Sequence, residues 1–188
     1  FTQFSSDLDE ATTAQLKYGS CLMELLKQPL CSPLSLHQQV ITLCVATHKL
    51  MVDVEKKEIK KYAGIKVVAE QTANFDRSEA LDVTSNLMQA NPNIVGVYAE
   101  NDEMALGAIQ ALGSKAGTDV KIVGFDGTDD GLKAISSGTL TGTIAQQPKE
   151  LGKQAVQAAV KAIKGEKVDK TQSIEVKTVT KENVADFQ

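Results

Sequence analysis

The chain has 188 residues, of which 42% are hydrophobic and 23% charged, and its 24 acidic and 20 basic residues give a formal net charge of −4. This composition is typical of a soluble protein with one medium or two small domains, and it excludes a disordered chain or a disulfide-bonded scaffold. No apolar run approaches the ~20 residues that cross a bilayer and no leader pattern opens the chain, so we expect neither a membrane span nor a signal peptide.

The positive charge of the chain is dispersed. Nineteen of the 20 basic residues are lysines, Arg77 is the single arginine, and acids lie among them. Phosphate recognition favours arginine, and binding to a nucleic-acid backbone needs clustered positive charge. The sequence therefore predicts no nucleic-acid partner.

The composition changes near residue 62. The residues before this point include all three cysteines and both histidines but only one of the 13 glycines. Residues 1–62 are neutral overall, so residues 63–188 carry the whole net charge. We therefore predict two domains, a helical segment over 1–62 and a second unit over 63–188.

Three helices are predicted in the first segment. Residues 5–28 repeat leucine and alanine at spacings of three and four, and Pro29 ends this pattern. A second helix is predicted to begin at a capping box of Ser35 and Gln38. Its predicted apolar face consists of Val40, Leu43, Cys44 and Thr47. A third, short helix is predicted over 53–62.

The cysteines and histidines of this segment form no recognisable site. No two cysteines and no two histidines stand at the short spacing of a zinc site, and three cysteines leave one unpaired in any disulfide scheme. We predict structural roles for them, with no metal or other cofactor. Free thiols suit a reducing compartment.

Several strings of the first segment recur in a known family. FTQFSSDLDEATTAQLKYG and ELLKQPLCSPLSLHQQVITL resemble, in order and register, the helical carboxyl-terminal domain of the alpha subunit of rotary ATP synthases. The resemblance covers residues 1 to about 60. It implies a helical scaffold and no ATPase activity, because the Gly-Lys-Thr phosphate loop does not occur in this sequence.

Strand and helix patterns alternate from residue 64 onwards. Short β-branched runs occur in IKVVAE, NIVGVYAE, DVKIVGFD and TLTGTIAQQ, and helical patterns follow them over 78–90, in NDEMALGAIQALGSK, in DGLKAISSG and over 148–164. The run SIEVKTVT closes the chain as a last strand. This alternation predicts an α/β fold with a doubly wound, mostly parallel sheet.

Polar or aromatic residues follow four of the predicted strands. They are Phe75, Asn101, Asp126 and Gln146. In parallel sheets ligands gather at the carboxyl ends of strands. A carboxylate accepts from two neighbouring hydroxyls, an amide donates and accepts, and an aromatic ring covers the C–H face of a sugar. The sequence thus predicts a site for a neutral, polyhydroxylated small molecule.

Each of these residues also has an ordinary structural explanation. Asn101 is a good helix cap, Asp126 before Gly127 suits a turn, Phe75 suits a core, and Gln146 suits the start of a helix. We prefer a binding site because all four residues stand at equivalent strand ends.

The same stretches resemble a second family. NFDRSEAL, NDEMALGAIQAL, VGFDGTDDGLKAI and GTIAQQPKELG are similar to the carboxyl-side half of the periplasmic sugar-binding proteins, over about residues 63–176. The resemblance implies a ribose-type ligand and no enzymatic activity. It implies that Phe75 stacks on the sugar, that Asn101 and Asp126 bind hydroxyls, and that Gln146 supplies an amide. Phe125 is a weaker candidate.

The resemblance also implies a departure from the family. Those proteins close two lobes around the sugar, and the amino-side lobe has no counterpart in this sequence. We therefore expect the affinity of the chain for a sugar to be weak or lost. We also expect the chain to be a chimera of two unrelated fragments joined near residue 62. The helix over 148–164 loses its usual docking surface in such a chimera, so we expect an exposed apolar face that a homodimer would cover.

Two other functions remain open from the sequence. One is a recombined or engineered fold with no retained ligand. The other is a magnesium-dependent enzyme of phosphoryl chemistry, using acids of two neighbouring loops, namely Asp102, Glu103, Asp126, Asp129 and Asp130. The cellular location stays undecided, because the sugar-binding relatives are exported whereas the free thiols favour the cytoplasm.

Overall fold

The computed structural model describes residues 38–44, 56–169 and 174–188. Within these ranges the strands are β1 (Gln38–Cys44), β2 (Ile65–Thr72), β3 (Ile94–Ala99), β4 (Lys121–Asp126), β5 (Gly142–Ala145) and β6 (Lys177–Thr180). The helices are α1 (Arg77–Ala90), α2 (Asp102–Leu112), α3 (Asp129–Ser137) and α4 (Pro148–Ile163). Two 3-10 turns span Gly113–Lys115 and Val184–Phe187, and residues 56–59 are helical. The helix predicted over 5–28 lies outside the described residues.

The described strands form one six-stranded sheet in the order β2-β1-β3-β4-β5-β6. All neighbouring pairs are parallel except β5 and β6, which are antiparallel. This confirms the predicted α/β fold with a mostly parallel sheet. The strand order reverses between β1 and β3, and such a switch point opens a crevice at the carboxyl ends of the strands.

The helix predicted after Ser35 is wrong, because Gln38–Cys44 form strand β1, an interior strand of the sheet between β2 and β3. Ile41, Thr42 and Leu43 are consecutive and all buried. A strand covered on both faces buries every residue of such a run, whereas a surface helix would expose part of it. The spacing of three and four is compatible with either structure in so short an apolar run.

The sheet is continuous across the predicted boundary at residue 62. β1 precedes this boundary, and it pairs with β2 on one side and β3 on the other, both of which follow it. The helical residues 56–59 also contribute Ile59 to the hydrophobic cluster beneath β3, β4 and β5. The domain boundary at residue 62 rests on the change in amino-acid composition alone and stays a prediction.

Two hydrophobic clusters hold the helices to the sheet. The larger one joins buried side chains of α1, α2 and α3 to those of the strands, including Val83, Met104 and Ile135. The smaller one consists of Ile59, Tyr98, Val123 and Ile144. Burial of each such side chain stabilises the fold by roughly 1.5–3 kcal/mol before the entropy cost of folding is subtracted.

Helix α4 stands apart from this core. It contains no buried residue, and its large apolar side chains Leu151, Val156, Val160 and Ile163 are 44 to 86% exposed. The exposed apolar face predicted for this helix is therefore present. In the described part of the chain, none of the helices combines the length and the apolar character needed to cross a membrane.

Candidate functional site

The residues predicted at strand ends lie along one edge of the sheet, which we call the carboxyl edge. Phe75 follows β2, Asn101 follows β3, Asp126 ends β4, and Gln146 follows β5. Because β2, β1, β3, β4 and β5 run parallel, these four ends point to the same side of the sheet. Asn101 lies beside the switch point between β1 and β3.

Phe75 is held in the loop between β2 and α1 rather than in the core. The residue as a whole is 39% exposed. Its backbone φ is +60°, and the preceding residue, Asn74, also has a positive φ, of +47°. Left-handed backbone is unusual for a bulky side chain and persists only where the surrounding structure imposes it, often at a ligand site. The ring is therefore presented to solvent at the carboxyl edge.

Asn101 is the N-cap of α2. Its side-chain oxygen accepts a hydrogen bond from the backbone N–H of Met104 at 2.9 Å, so the structural explanation for this residue holds. The cap uses the oxygen and leaves the Nδ2 amide as the group that can donate to a ligand. Asn101 is 8% exposed, so that amide is closely surrounded.

Asp126 and Gln146 are brought together by the pairing of β4 with β5. The Gln146 Nε2 donates to Asp126 Oδ1 at 2.6 Å, and the Gln146 backbone N–H donates to the Asp126 carbonyl at 3.1 Å. The two residues stand 20 apart in the sequence. A carboxylate and an amide in direct contact offer one acceptor pair and one donor to neighbouring hydroxyls.

Burial is the main cause that raises the pKa of Asp126 above its ordinary value. The hydrogen bond from Gln146 lowers this pKa, and the negative charges of Asp102 and Glu103 raise it further. The folded protein therefore opposes ionisation of Asp126. A ligand that donates hydroxyl hydrogens to the carboxylate would relieve that cost.

Phe125 faces away from this group. Its side chain packs against the cluster of Tyr98, Val123 and Ile144 on one face of the sheet. Because successive residues of a strand point to opposite faces, Phe125 and Asp126 do not line one surface together. A ligand contact by Phe125 stays a prediction.

Asp102 is a buried acid that the sequence indicated only as a magnesium ligand and not as part of the sugar site. It is 0% exposed, and its carboxylate accepts hydrogen bonds from the Thr143 hydroxyl at 2.7 Å and from the Thr128 backbone N–H at 2.8 Å. Burial raises its pKa, while the hydroxyl and amide donors act in the opposite direction. Its position next to a helix cap gave no sign of these distant partners.

Four of the five acids proposed for magnesium, namely Asp102, Glu103, Asp126 and Asp130, are engaged in other contacts. Arg77 forms two hydrogen bonds of 2.9 Å with Glu103, and Asp130 pairs with Arg77 at 3.4 Å and with Lys133 at 3.1 Å. Asp102 is held by threonines as described above. Within the described residues, no three His, Cys, Asp or Glu side chains converge to hold a metal ion.

Comparison with known proteins places the chain among binding proteins. A family model described as "Periplasmic binding protein domain" matches residues 15–167. The ribose import binding protein of Escherichia coli strain K12 is 48% identical over 116 residues, which are 62% of this chain and 39% of that protein. The D-allose-binding periplasmic protein of the same organism is 43% identical over 110 residues, 58% of this chain and 35% of that protein. The chain thus spans about two fifths of the length of these curated relatives.

Solved structures agree with this placement. A periplasmic solute-binding protein of an ABC transporter from Actinobacillus succinogenes, with bound D-allose, superposes with a TM-score of 0.83 at 28% identity and covers 94% of this chain and 62% of that one. A solute-binding protein of an ABC transporter from Bacillus halodurans, with bound myo-inositol, superposes with a TM-score of 0.77 at 34% identity. This match covers 90% of this chain and 59% of that one. All four proteins are named for binding or transport and not for catalysis.

Proposed function

The chain belongs to the periplasmic binding protein family, and from this premise we propose that its carboxyl edge binds a neutral sugar of the ribose or allose type without chemical turnover. The observation that carries this proposal is the contact between the Asp126 carboxylate and the Gln146 amide at adjacent strand ends. The sugar and polyol ligands of the relatives support it. Ribose is the first ligand to test.

Four side chains have roles in this proposal. Phe75 stacks its ring on the C–H face of the sugar, and Asn101 donates from its amide nitrogen. Asp126 accepts from two neighbouring hydroxyls, and Gln146 holds the carboxylate and offers its own oxygen. All of them approach from one edge of the sheet, so they would contact one side of the ligand. We therefore propose a weak affinity for this chain by itself.

Calorimetric titration of the chain with ribose, allose and glucose, up to millimolar concentration, tests the proposal. We expect saturable heat with ribose or allose that exceeds the heat with glucose. Asp126→Ala should abolish this heat, whereas Asp119→Ala should leave it unchanged, because Asp119 is an exposed acid at the opposite edge of the sheet. The absence of heat with all three sugars, from a folded chain, would contradict the proposal.

The origin of residues 1–62 is a separate proposal. We propose that the chain joins an ATP synthase-like fragment, whose residues 38–44 form strand β1 in this fold, to a sugar-binding fragment, and the change in composition near residue 62 supports this. If the fused chain has lost its ligand site altogether, the addition of any sugar would leave its melting temperature unchanged. Sequencing the transcript across residue 62 tests the fusion, because two separate transcripts would contradict it.

A further inference from the structure

We infer that Asp102 is the positioning residue of the carboxyl edge: its carboxylate fixes the loop between β4 and α3 against β5, and so holds Asp126 and Gln146 in the geometry that receives two hydroxyls. The inference deepens the proposed function and rests on it for the identity of the ligand. It concerns a residue that touches no ligand itself and acts through its neighbours.

The first support is the set of elements that Asp102 connects. Its Oδ2 accepts from the Thr128 backbone N–H at 2.8 Å and from the Thr128 hydroxyl at 3.1 Å, and its Oδ1 accepts from the Thr143 hydroxyl at 2.7 Å. One side chain at the start of α2 thereby joins the β4–α3 loop to β5.

The second support is the position of these partners beside the site. Gly127 and Thr128 follow Asp126 directly, and Thr143 precedes Gln146 by three residues on β5. The Thr128 hydroxyl also accepts from the Gly131 backbone N–H at 3.1 Å, which caps α3. A displacement of the Asp102 carboxylate would therefore move both ends of the Asp126–Gln146 contact.

The third support is the strained backbone of the loop. Asp126 has φ +115° and Gly127 has φ +75°. For a residue with a side chain, such a conformation costs on the order of 1–3 kcal/mol and needs surrounding contacts that impose it. The two hydrogen bonds from Thr128 to the buried carboxylate provide contacts of this kind, two residues after the strained Asp126.

The fourth support is the close fit around Asp102. A Cβ atom added to Gly124 would stand 2.3 Å from Asp102 Oδ1, and one added to Gly131 would stand 2.4 Å from Oδ2. Glycine at both positions lets the carboxylate approach the backbone of β4 and of α3. The buried carboxylate is thus enclosed on both sides and held in a single orientation.

A ligand-free measurement tests the inference directly. The side-chain amide signal of Gln146 in ¹H–¹⁵N spectra, identified by its loss in Gln146→Ala, reports the hydrogen bond to Asp126. We expect Asp102→Asn to shift this signal toward that of a solvated amide. Thr143→Val removes one hydrogen-bond donor and keeps the Asp102 carboxylate, so it should shift the Gln146 signal in the same direction by a smaller amount. This variant replaces Asp102→Asn as the test if Asp102→Asn does not fold.

The matched control is Asn183→Ala. Asn183 accepts from the Thr180 backbone N–H at 2.8 Å and donates to the Thr178 carbonyl at 3.0 Å, at the end of β6 that lies opposite the carboxyl edge. Its loss lowers stability without touching the loop. We expect an unchanged Gln146 signal in this variant, and equal shifts in Asn183→Ala and Asp102→Asn would overturn the inference.

Ligand discrimination provides the second readout. A site that hydrogen-bonds a hydroxyl rejects the analogue that lacks it, so the ratio of affinities for ribose and 2-deoxyribose measures hydroxyl recognition at the carboxyl edge. Asp102→Asn should lower this ratio about tenfold in the folded fraction, and Asn183→Ala should not change it. An unchanged ratio in Asp102→Asn overturns the inference. If the wild-type chain binds no sugar but the Gln146 signal moves as expected, the positioning role stands and the proposed function fails.

Discussion

At the scale of single residues, the carboxyl edge places acidic groups where the fold opposes their charge. Asp126 and Asp102 both have raised pKa values, and burial is the first cause for each. A raised pKa in the folded state means that the folded protein binds the proton more tightly than the unfolded chain does. Stability then falls as the pH rises through the interval between the ordinary and the raised value.

Asp126→Asn should therefore stabilise the chain and weaken sugar binding. The neutral amide removes the burial cost and the repulsion from Asp102 and Glu103, and asparagine tolerates positive φ well. We expect the free energy of unfolding to rise by about 0.5–1 kcal/mol at neutral pH, as is common for changes at functional sites. The gain should shrink as the pH falls from the raised pKa of Asp126 toward the ordinary value of 3.8, and it should be absent below that value, where the carboxyl is protonated in both the folded and the unfolded wild-type chain.

Urea unfolding of both proteins between pH 3 and pH 7, with calorimetric titration at pH 7, provides the measurement. A gain that stays constant over the whole pH range would show that ionisation of Asp126 is not its cause. Lower stability of Asp126→Asn at neutral pH would contradict the account of this residue.

At the scale of secondary-structure elements, α1 and α2 approach each other through a glycine. A Cβ added to Gly107 of α2 would stand 2.2 Å from the Arg77 carbonyl oxygen and 2.8 Å from the Ala80 Cβ of α1. The backbone carbonyl cannot move away independently of its helix. The distance between the two helices is therefore set by the missing side chain of Gly107.

Gly107→Ala should consequently destabilise the fold by about 1–3 kcal/mol, as overpacking of a well-packed interior does. Gly152→Ala provides the matched control, since Gly152 lies in the exposed helix α4 with no atom within 4 Å of the added Cβ. That substitution should stabilise by about 0.5–1 kcal/mol through helix propensity alone. Chemical denaturation of the two variants measures both effects, and equal changes in the two would contradict the close approach.

At the scale of the whole molecule, the sheet depends on a strand from the segment that the composition assigns elsewhere. β1 fills the position between β2 and β3, and its Ile41 and Leu43 are fully buried. Without β1, two strand edges would lose their partners and the core would lose two large side chains. Whether residues 63–188 fold as a separate domain can therefore be tested by removing β1.

Deletion of residues 1–62 should abolish cooperative unfolding of the remaining chain, measured by near-ultraviolet circular dichroism in urea. Deletion of residues 1–30 keeps β1 and provides the control, for which we expect a sharp transition. A cooperative transition in residues 63–188 alone would support a domain boundary at residue 62 and would contradict the structural role of β1.

The exposed face of α4 leads to a prediction about assembly. We expect the chain to form a homodimer through 148–164, because four large apolar side chains of this helix face solvent. Ile163→Lys should weaken the dimer, whereas Gln157→Lys, on the polar side of the helix, should not. Sedimentation velocity over a range of concentrations measures this, and a monomer at every concentration would rule the dimer out.

Most elements after residue 63 could be predicted because their signals are local. The boundaries of β2, α1, β3 and α2 follow from β-branched runs, helical spacing and caps within each stretch. Helix α4 was predicted with equal success, together with its exposed face. Strand β1 was missed, since a helix and a buried strand share the same apolar spacing over seven residues.

Local sequence patterns were enough to predict the α/β class, the strand ends that carry Phe75, Asn101, Asp126 and Gln146, and the change of composition near residue 62. The three-dimensional structure was needed to show that residues 38–44 form an interior strand, that Asp126 contacts Gln146, and that Asp102 accepts hydrogen bonds from the neighbouring loop and from β5. The physical reason is the range of the interactions. The Asp102 carboxylate accepts hydrogen bonds from residues 26 and 41 positions away, and burial on both faces of a strand depends on elements that no local pattern specifies.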